Sequence, residues 1–127
     1  MRPTAVLAAT CALLLASTAA AQEVDADRER RARQHYEAGT AYFDTGDYES
    51  ALREFREAYA ESPHAELLYN VYLCQERIGN LSEAVEALEA FLQTPNVPRR
   101  EILERRLVYL RERAARGETR IAAEDAA

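Results

Sequence analysis

The sequence contains no lysine and no tryptophan, and its 127 residues include only four glycines, two cysteines and two histidines. Each scarcity excludes something. Four scattered glycines cannot build a phosphate-cradling loop. No pair of His, Cys or carboxylate residues has a metal-ligand spacing. His35 and His64 fall on different segments, and no convergent catalytic set can be assembled around either. Valine and isoleucine are sparse, with no alternating apolar run and no hairpin dipeptide, so nothing reads as a β-strand. No apolar stretch reaches the roughly 20 residues that a membrane span needs. The reading therefore assigns no catalytic residue, no metal and no cofactor.

Every cation is an arginine, 16 of them against 22 acidic side chains, for a formal charge of −6. That acidic balance argues against a nucleic-acid binder, because phosphate neutralisation needs an excess of cations. The first residues read as an address. Met1, Arg2, Pro3 and Thr4 make a short basic start, an apolar run follows from Ala5 to Ser17, and Ala19-Ala20-Ala21 satisfies the small-residue rule for cleavage before Gln22. A signal peptide over 1–21 is expected, with a periplasmic or secreted product and no stable membrane insertion after cleavage. An uncleaved inner-membrane signal anchor is the alternative. Lipoprotein processing at Cys11 is the weakest option, because Ala8, Ala9 and Thr10 make a poor lipobox. Cleavage would leave Cys74 as a lone thiol, without an internal disulfide.

The remaining chain, about 106 residues, is the size of one domain. It repeats. A shift of 33 residues places Gly46 on Gly79, Asp47 on Asn80, Ala51 on Ala84, Phe55 on Leu88 and Ala58 on Phe91. Each unit reads as two helices with explicit punctuation. A first helix from about Asp25 to Asp44 ends at Gly46, and Asp47 caps the next, whose buried stripe is Ala51, Leu52, Phe55, Ala58 and Tyr59. Ser62 is expected to cap a third helix, with Pro63 at its first position. Leu67, Leu68, Val71, Cys74, Gln75 and Ile78 follow at helical spacing. Gly79 stops that helix, and Asn80 with Glu83 suggests a capping box before a fourth. The Thr94–Pro98 segment breaks the pattern. A fifth helix over about 98–116 carries Leu103, Leu107, Leu110 and Ala114, with Glu101–Arg105 and Glu112–Arg116 pairs four apart. The stretch 118–127 has almost no apolar anchor and reads as a flexible tail.

His35, Ala38-Gly39, Tyr42, Ala51, Phe55, Ala58 and Pro63 stand at the spacings of the tetratricopeptide repeat, with His35 in place of the usual tryptophan. The chain resembles that family over 32–97, with repeats at about 32–64 and 65–97 and a capping helix at about 98–116. The second unit is looser: Leu68, Val71, Tyr72 and Gln75 stand where the aromatic, leucine, glycine and tyrosine would be, and Asn96 replaces the closing proline. The resemblance implies an all-α helix-turn-helix repeat solenoid of about two units plus the cap. Gly39 would let the paired helix approach, and Tyr42 and Phe55 would fill the space between the two helices.

In this family the first helices of the repeats line a concave groove for partner peptides. On that pattern Arg33, Tyr36, Thr40 and Phe43 face the groove from one helix, and Glu66, Tyr69, Asn70, Leu73, Glu76 and Arg77 from the next. Rigid aromatics suit recognition because they bury area at little entropic cost. Asn70 resembles the groove asparagine that bonds a peptide backbone. A clamp for a C-terminal carboxylate is not supported, because Glu37 stands where that motif needs asparagine. The plainer alternative is that Tyr36, Phe43 and Tyr69 pack between repeats. Charge is segregated as well: the stretch from Pro98 to Arg120 has eight arginines against four glutamates. That helix could meet an acidic partner or an anionic surface, or be a solvated cap. The expected role is a protein-interaction adaptor of the bacterial cell envelope, with a self-assembling structural protein as the alternative.

Overall fold

The computed structural model describes the backbone of residues 4–118 and the side chains of residues 18–118. Five helices follow one another: α1 (Thr4–Asp44), α2 (Tyr48–Glu61), α3 (Ala65–Ile78), α4 (Leu81–Leu92) and α5 (Arg100–Ala115). No strand occurs among the described residues. Contact is sequential: α1 packs on α2, α2 on α3, α3 on α4 and α4 on α5. The result is an all-α helix-turn-helix repeat solenoid, in which each unit buries its apolar face only by stacking on the next.

The turns follow from a few side chains. Gly46 and Gly79 take φ of 83° and 97°, a left-handed conformation that costs glycine little and ends each first helix. Asp47 then accepts a hydrogen bond from Ser50 N at 3.1 Å, as an N-cap should. The Ser50 hydroxyl, and then this backbone contact, hold its carboxyl below the usual range. The expected capping box at Asn80 does not form. Its amide donates instead to Gln75 Oε1 at 3.0 Å, because Gln75 is only 2% exposed and a buried amide needs a partner. Ser62 is not the cap of α3 either. Its N–H donates to Ala58 O at 2.9 Å, ending α2, while Pro63 lies in the connection and His64 precedes the first residue of α3. The last helix starts at Arg100 rather than near Pro98, after Asn96 and Arg99 adopt φ of 58° and 53°.

Two clusters make the core. Ala51, Leu52, Phe55 and Ala58 of α2 meet Leu67 and Cys74 of α3, and Tyr72, Leu81, Ala84, Leu88, Phe91, Leu92, Leu107 and Leu110 join α3, α4 and α5. Ala51 and Ala58 are fully buried, small enough to admit α3. Burying a leucine or phenylalanine side chain is worth about 1.5–3 kcal/mol. Phe55 lies against Gly39, as the repeat pattern implies. Tyr42 does not share that role. It is 42% exposed, whereas its neighbour Phe43 packs on α2, its ring meeting Tyr48 edge-on at 5.1 Å.

The first helix is longer than expected, running back from Asp25 to Thr4 without a break at Ala21. The side chains of the apolar leader fall outside the described residues. No helix of the described residues is long and apolar enough to cross a membrane. The part of α1 just before the first repeat is tied down by polar contacts: Arg31 to Glu61 at 2.9 Å, and Glu29 to the Ser62 hydroxyl at 2.7 Å and His64 Nε2 at 3.0 Å. At the other end Glu118, expected to begin the tail, is held by Arg113 Nε at 2.6 Å and Arg116 Nε at 2.8 Å. These bonds keep its carboxyl below the usual range. The tail after Glu118 lies outside the described residues.

Candidate partner-binding groove

The 33-residue register does not stop at the second unit. One further step carries Arg33 and Glu66 to Arg99, Tyr36 and Tyr69 to Ile102, Thr40 and Leu73 to Arg106, and Phe43 and Glu76 to Tyr109. Helix α5 thus continues the register of the first helices into a third position. It takes the position on α4 that α3 takes on α2. Three equivalent helices, α1, α3 and α5, therefore stand side by side and enclose a concave surface.

The main hollow on that surface holds about 500 Å³. Its walls are Tyr36 of α1, Glu66, Tyr69 and Asn70 of α3, Phe91 at the end of α4, the 94–99 connection, and Ile102 and Leu103 of α5. A smaller hollow of about 280 Å³ lies between α1 and α3 and shares Tyr36 and Glu66. Its floor is Ala32 and Leu67, each 4% exposed, and its rim includes Arg33 and His64. The large hollow is formed mainly by apolar side chains with few polar groups, the usual make-up of a recognition site. Tyr69 is anchored there by ring contacts to Tyr72 at 5.5 Å and Phe91 at 5.4 Å.

The ten residues anticipated for the groove divide into two groups. Arg33, Tyr36, Glu66, Tyr69 and Asn70 line one or both hollows. Tyr36 is 45% exposed, although its ring also approaches that of Phe55, at 6.0 Å between centroids. Asn70 is half-buried, and its amide has no hydrogen bond among the described residues. The other five have intramolecular work. The Thr40 hydroxyl donates to Tyr36 O at 3.0 Å. Phe43 packs on Tyr48, and Arg77 lies over the same Tyr48 ring, 5.7 Å from its centroid, and donates to its hydroxyl. Leu73 joins the α3–α5 core. Glu76 is 5% exposed and forms an ion pair with Arg106, whose guanidinium lies 5.0 Å from the Tyr109 centroid. Burial raises the Tyr72 phenol, and a hydrogen bond from Arg106 offsets part of that rise. The groove is thus open at the level of Tyr36 and Tyr69 and closed by paired side chains at the level of Arg77.

What the anticipated set omits is the third wall. Ile102 (53% exposed) and the connection residues Val97, Pro98 and Arg99 border the large hollow. The signal was present in the period itself, which reaches Arg99 and Ile102 when applied twice.

One polar cluster beside the small hollow brings Ser62, His64 and Glu29 together. It lacks the wiring of a nucleophilic triad, in which the imidazole meets the hydroxyl and the carboxylate through opposite nitrogens. Here Nε2 faces both, at 3.1 Å from Ser62 Oγ and 3.0 Å from Glu29 Oε1, and the hydroxyl donates to the carboxylate directly. The Ser62 hydroxyl, and then His64, hold the Glu29 carboxyl below the usual range. The cluster is a staple between α1 and the start of α3. No group of three or more His, Cys, Asp or Glu residues that could hold a metal occurs among the described residues. Cys74, the thiol on the core stripe, is fully buried, and burial pushes its pKa up to about 12. It is a small apolar side chain here rather than a nucleophile.

Residues 32–65 match the tetratricopeptide repeat family. The match spans the end of α1, all of α2 and the first residue of α3, the unit whose glycine, phenylalanine and alanines carry the pattern. No curated protein and no solved structure matches the chain. Repeats of this family generally mediate protein–protein interactions.

Proposed function

We propose that this chain is a protein-interaction adaptor of the bacterial cell envelope, exported by residues 1–21 and working from Gln22 onward, and that it holds a segment of its partner in the groove between α1, α3 and α5. The observation that carries the reading is the large hollow itself. Exposed Tyr36 and Ile102 line it together with Asn70, whose amide has no hydrogen bond among the described residues. Exposed aromatic and aliphatic anchors beside a free amide suit a peptide, which offers side chains for the apolar walls and backbone groups for the amide. The envelope location rests on the leader sequence alone: a basic start, an apolar run and Ala19-Ala20-Ala21 before Gln22.

Site-specific photocrosslinking tests the groove. A photoreactive residue in place of Tyr36 is expected to capture a partner in the producing cell, and the same residue in place of Glu86, exposed on α4, is not. Capture from Glu86 but not from Tyr36 would move the interaction to another face. Reading the amino terminus by mass spectrometry tests the export step: a mature chain starting at Gln22 is expected, and an intact Met1 in the membrane fraction would refute cleavage.

A further inference from the structure

The groove reading above leaves the chemistry of the partner open, and the inference that follows rests on it. Most arginines of the α5 region already have intramolecular partners. Arg100 donates to Leu92 O at 2.9 Å and Thr94 O at 3.2 Å, closing the end of α4. Arg106 pairs with Glu76, Arg111 with Glu89, and Arg113 and Arg116 with Glu118. Arg99 is different: it lines the large hollow, is exposed, and has no ion pair or side-chain hydrogen bond among the described residues.

The same pattern recurs two helices away. On α1, Arg28 and Arg31 are engaged with Glu61, and Arg30 with Asp27. Arg33 lines the small hollow and enters no ion pair among the described residues. Glu29, its acidic neighbour there, is already bonded to Ser62 and His64. Between the two guanidinium groups, in the same register, stands Glu66, which also has no ion pair among the described residues. Glu37 lines neither hollow. The open groove thus has an unpaired cation at each end, Glu66 at the middle, Glu29 beside Arg33 but bonded to Ser62 and His64, and an apolar floor, on a chain whose net charge is −6.

From this arrangement we infer that the groove takes an acidic peptide segment of a particular pattern: one or more bulky apolar side chains at the centre, flanked on both sides by carboxylates. The apolar side chains occupy the hollow among Tyr36, Tyr69 and Ile102. The flanking carboxylates meet Arg33 at one end and Arg99 at the other, where planar guanidinium groups suit carboxylate geometry. Glu66 repels an acid placed centrally and so fixes the apolar residue there. An acidic partner would otherwise be repelled by an acidic adaptor, so unpaired arginines at the groove ends make recognition local.

Fluorescein-labelled seven-residue peptides with Leu-Phe-Leu at the centre and two Glu, two Ser or two Lys at each end supply the test, read by anisotropy on the full chain. The Glu-flanked peptide is expected to bind about fivefold more tightly than the Ser-flanked one at low salt, and the Lys-flanked one most weakly. The advantage should fade toward about 1 M salt. Arg33→Ser and Arg99→Asn should each reduce the Glu advantage and leave the Ser peptide unchanged; asparagine is chosen because it tolerates the left-handed backbone at that position. Equal binding of the three peptides, all abolished by Ile102→Ser, would overturn the acidic pattern and leave the groove reading intact. Tight binding that Ile102→Ser and Tyr36→Ala do not affect would overturn both. A dimer in sedimentation that Ile102→Ser disrupts would assign the hollow to a second copy and also overturn the inference.

Discussion

The ring of Phe55 occupies the place where a side chain at Gly39 would be: a Cβ added there would lie 2.8 Å from Phe55 Cε1 and 2.9 Å from Cδ1. Phe55 is 3% exposed and cannot swing into solvent. Gly39→Ala is therefore expected to cost about 1–3 kcal/mol through overpacking, and Phe55→Ala about 3–5 kcal/mol through the cavity it leaves. The two are coupled. In the Phe55→Ala background the clash is gone, and the better helix propensity of alanine should make Gly39→Ala neutral or stabilising. Denaturant melts of the four proteins check this, and a Gly39→Ala penalty unchanged between backgrounds would refute the contact.

In the groove the balance is reversed. Tyr36→Ala and Asn70→Ala remove side chains that face the large hollow, so each should change stability by only about 0.5 kcal/mol. For a partner that uses these residues as anchors, binding should weaken by about 2 kcal/mol or more. Thermal melting paired with titration of the bound partner separates the effects. Variants that no longer fold would show these residues to be inter-helix packing.

The Glu29 staple predicts a pH dependence with a definite sign. Hydrogen bonds from Ser62 and then His64 lower the folded-state pKa below the ordinary value of 4.5. Glu29 thus adds stability that is present above that value and lost as pH falls through the folded-state pKa. The wild type should be more stable than Glu29→Gln near neutrality, and the gap should shrink as pH is lowered below about 4.5. A gap that stays constant down to pH 2 would show that the carboxylate's charge plays no part.

Cys74 should behave as a protected thiol. Its pKa is pushed from 9.0 to about 12 by burial, so iodoacetamide should label it only through unfolding or local opening. Sub-denaturing urea should accelerate labelling in step with the loss of stability. Above about pH 9 the unfolded chain gains a thiolate that the folded one does not, so stability should fall with rising pH. Fast labelling of the native protein at neutral pH would contradict the burial.

Much of the fold was legible in the sequence because it is written in local chemistry. Gly46 and Asp47 form a stop and a start whose geometry needs no distant residue, and the Ala51–Phe55–Ala58 stripe states its burial by spacing alone. Where the structure departs from these local signals, another side-chain partner outweighs the cap. Asn80 abandons its cap because buried Gln75 requires a partner, and the Ser62 side chain turns to Glu29, 33 residues earlier in the chain. The groove was half legible. Tyr36, Tyr69 and Asn70 follow from the register, but Glu76 cannot be seen as buried until Arg106 of α5 comes to lie over it. The third wall was missed because α5 was read as a lid, although its register repeats that of α1 and α3.

The register shared by α1, α3 and α5 has a consequence for how such a chain can change length. Helix α5 packs on α4 through Leu107 and Leu110, while its outward side carries exposed Glu101, Arg105 and Glu112 around Val108, itself 54% exposed. Because α5 packs on α4 as α3 packs on α2, the two junctions are interchangeable. A tandem duplication of residues 65–97, inserted between Val97 and Pro98, would set α3 of the new copy on α4 and α5 on the α4 of the copy. Each such event would add one rung to the concave surface without exposing new apolar area, so the span of ligand recognised is a matter of copy number, open to stepwise gain or loss by unequal recombination.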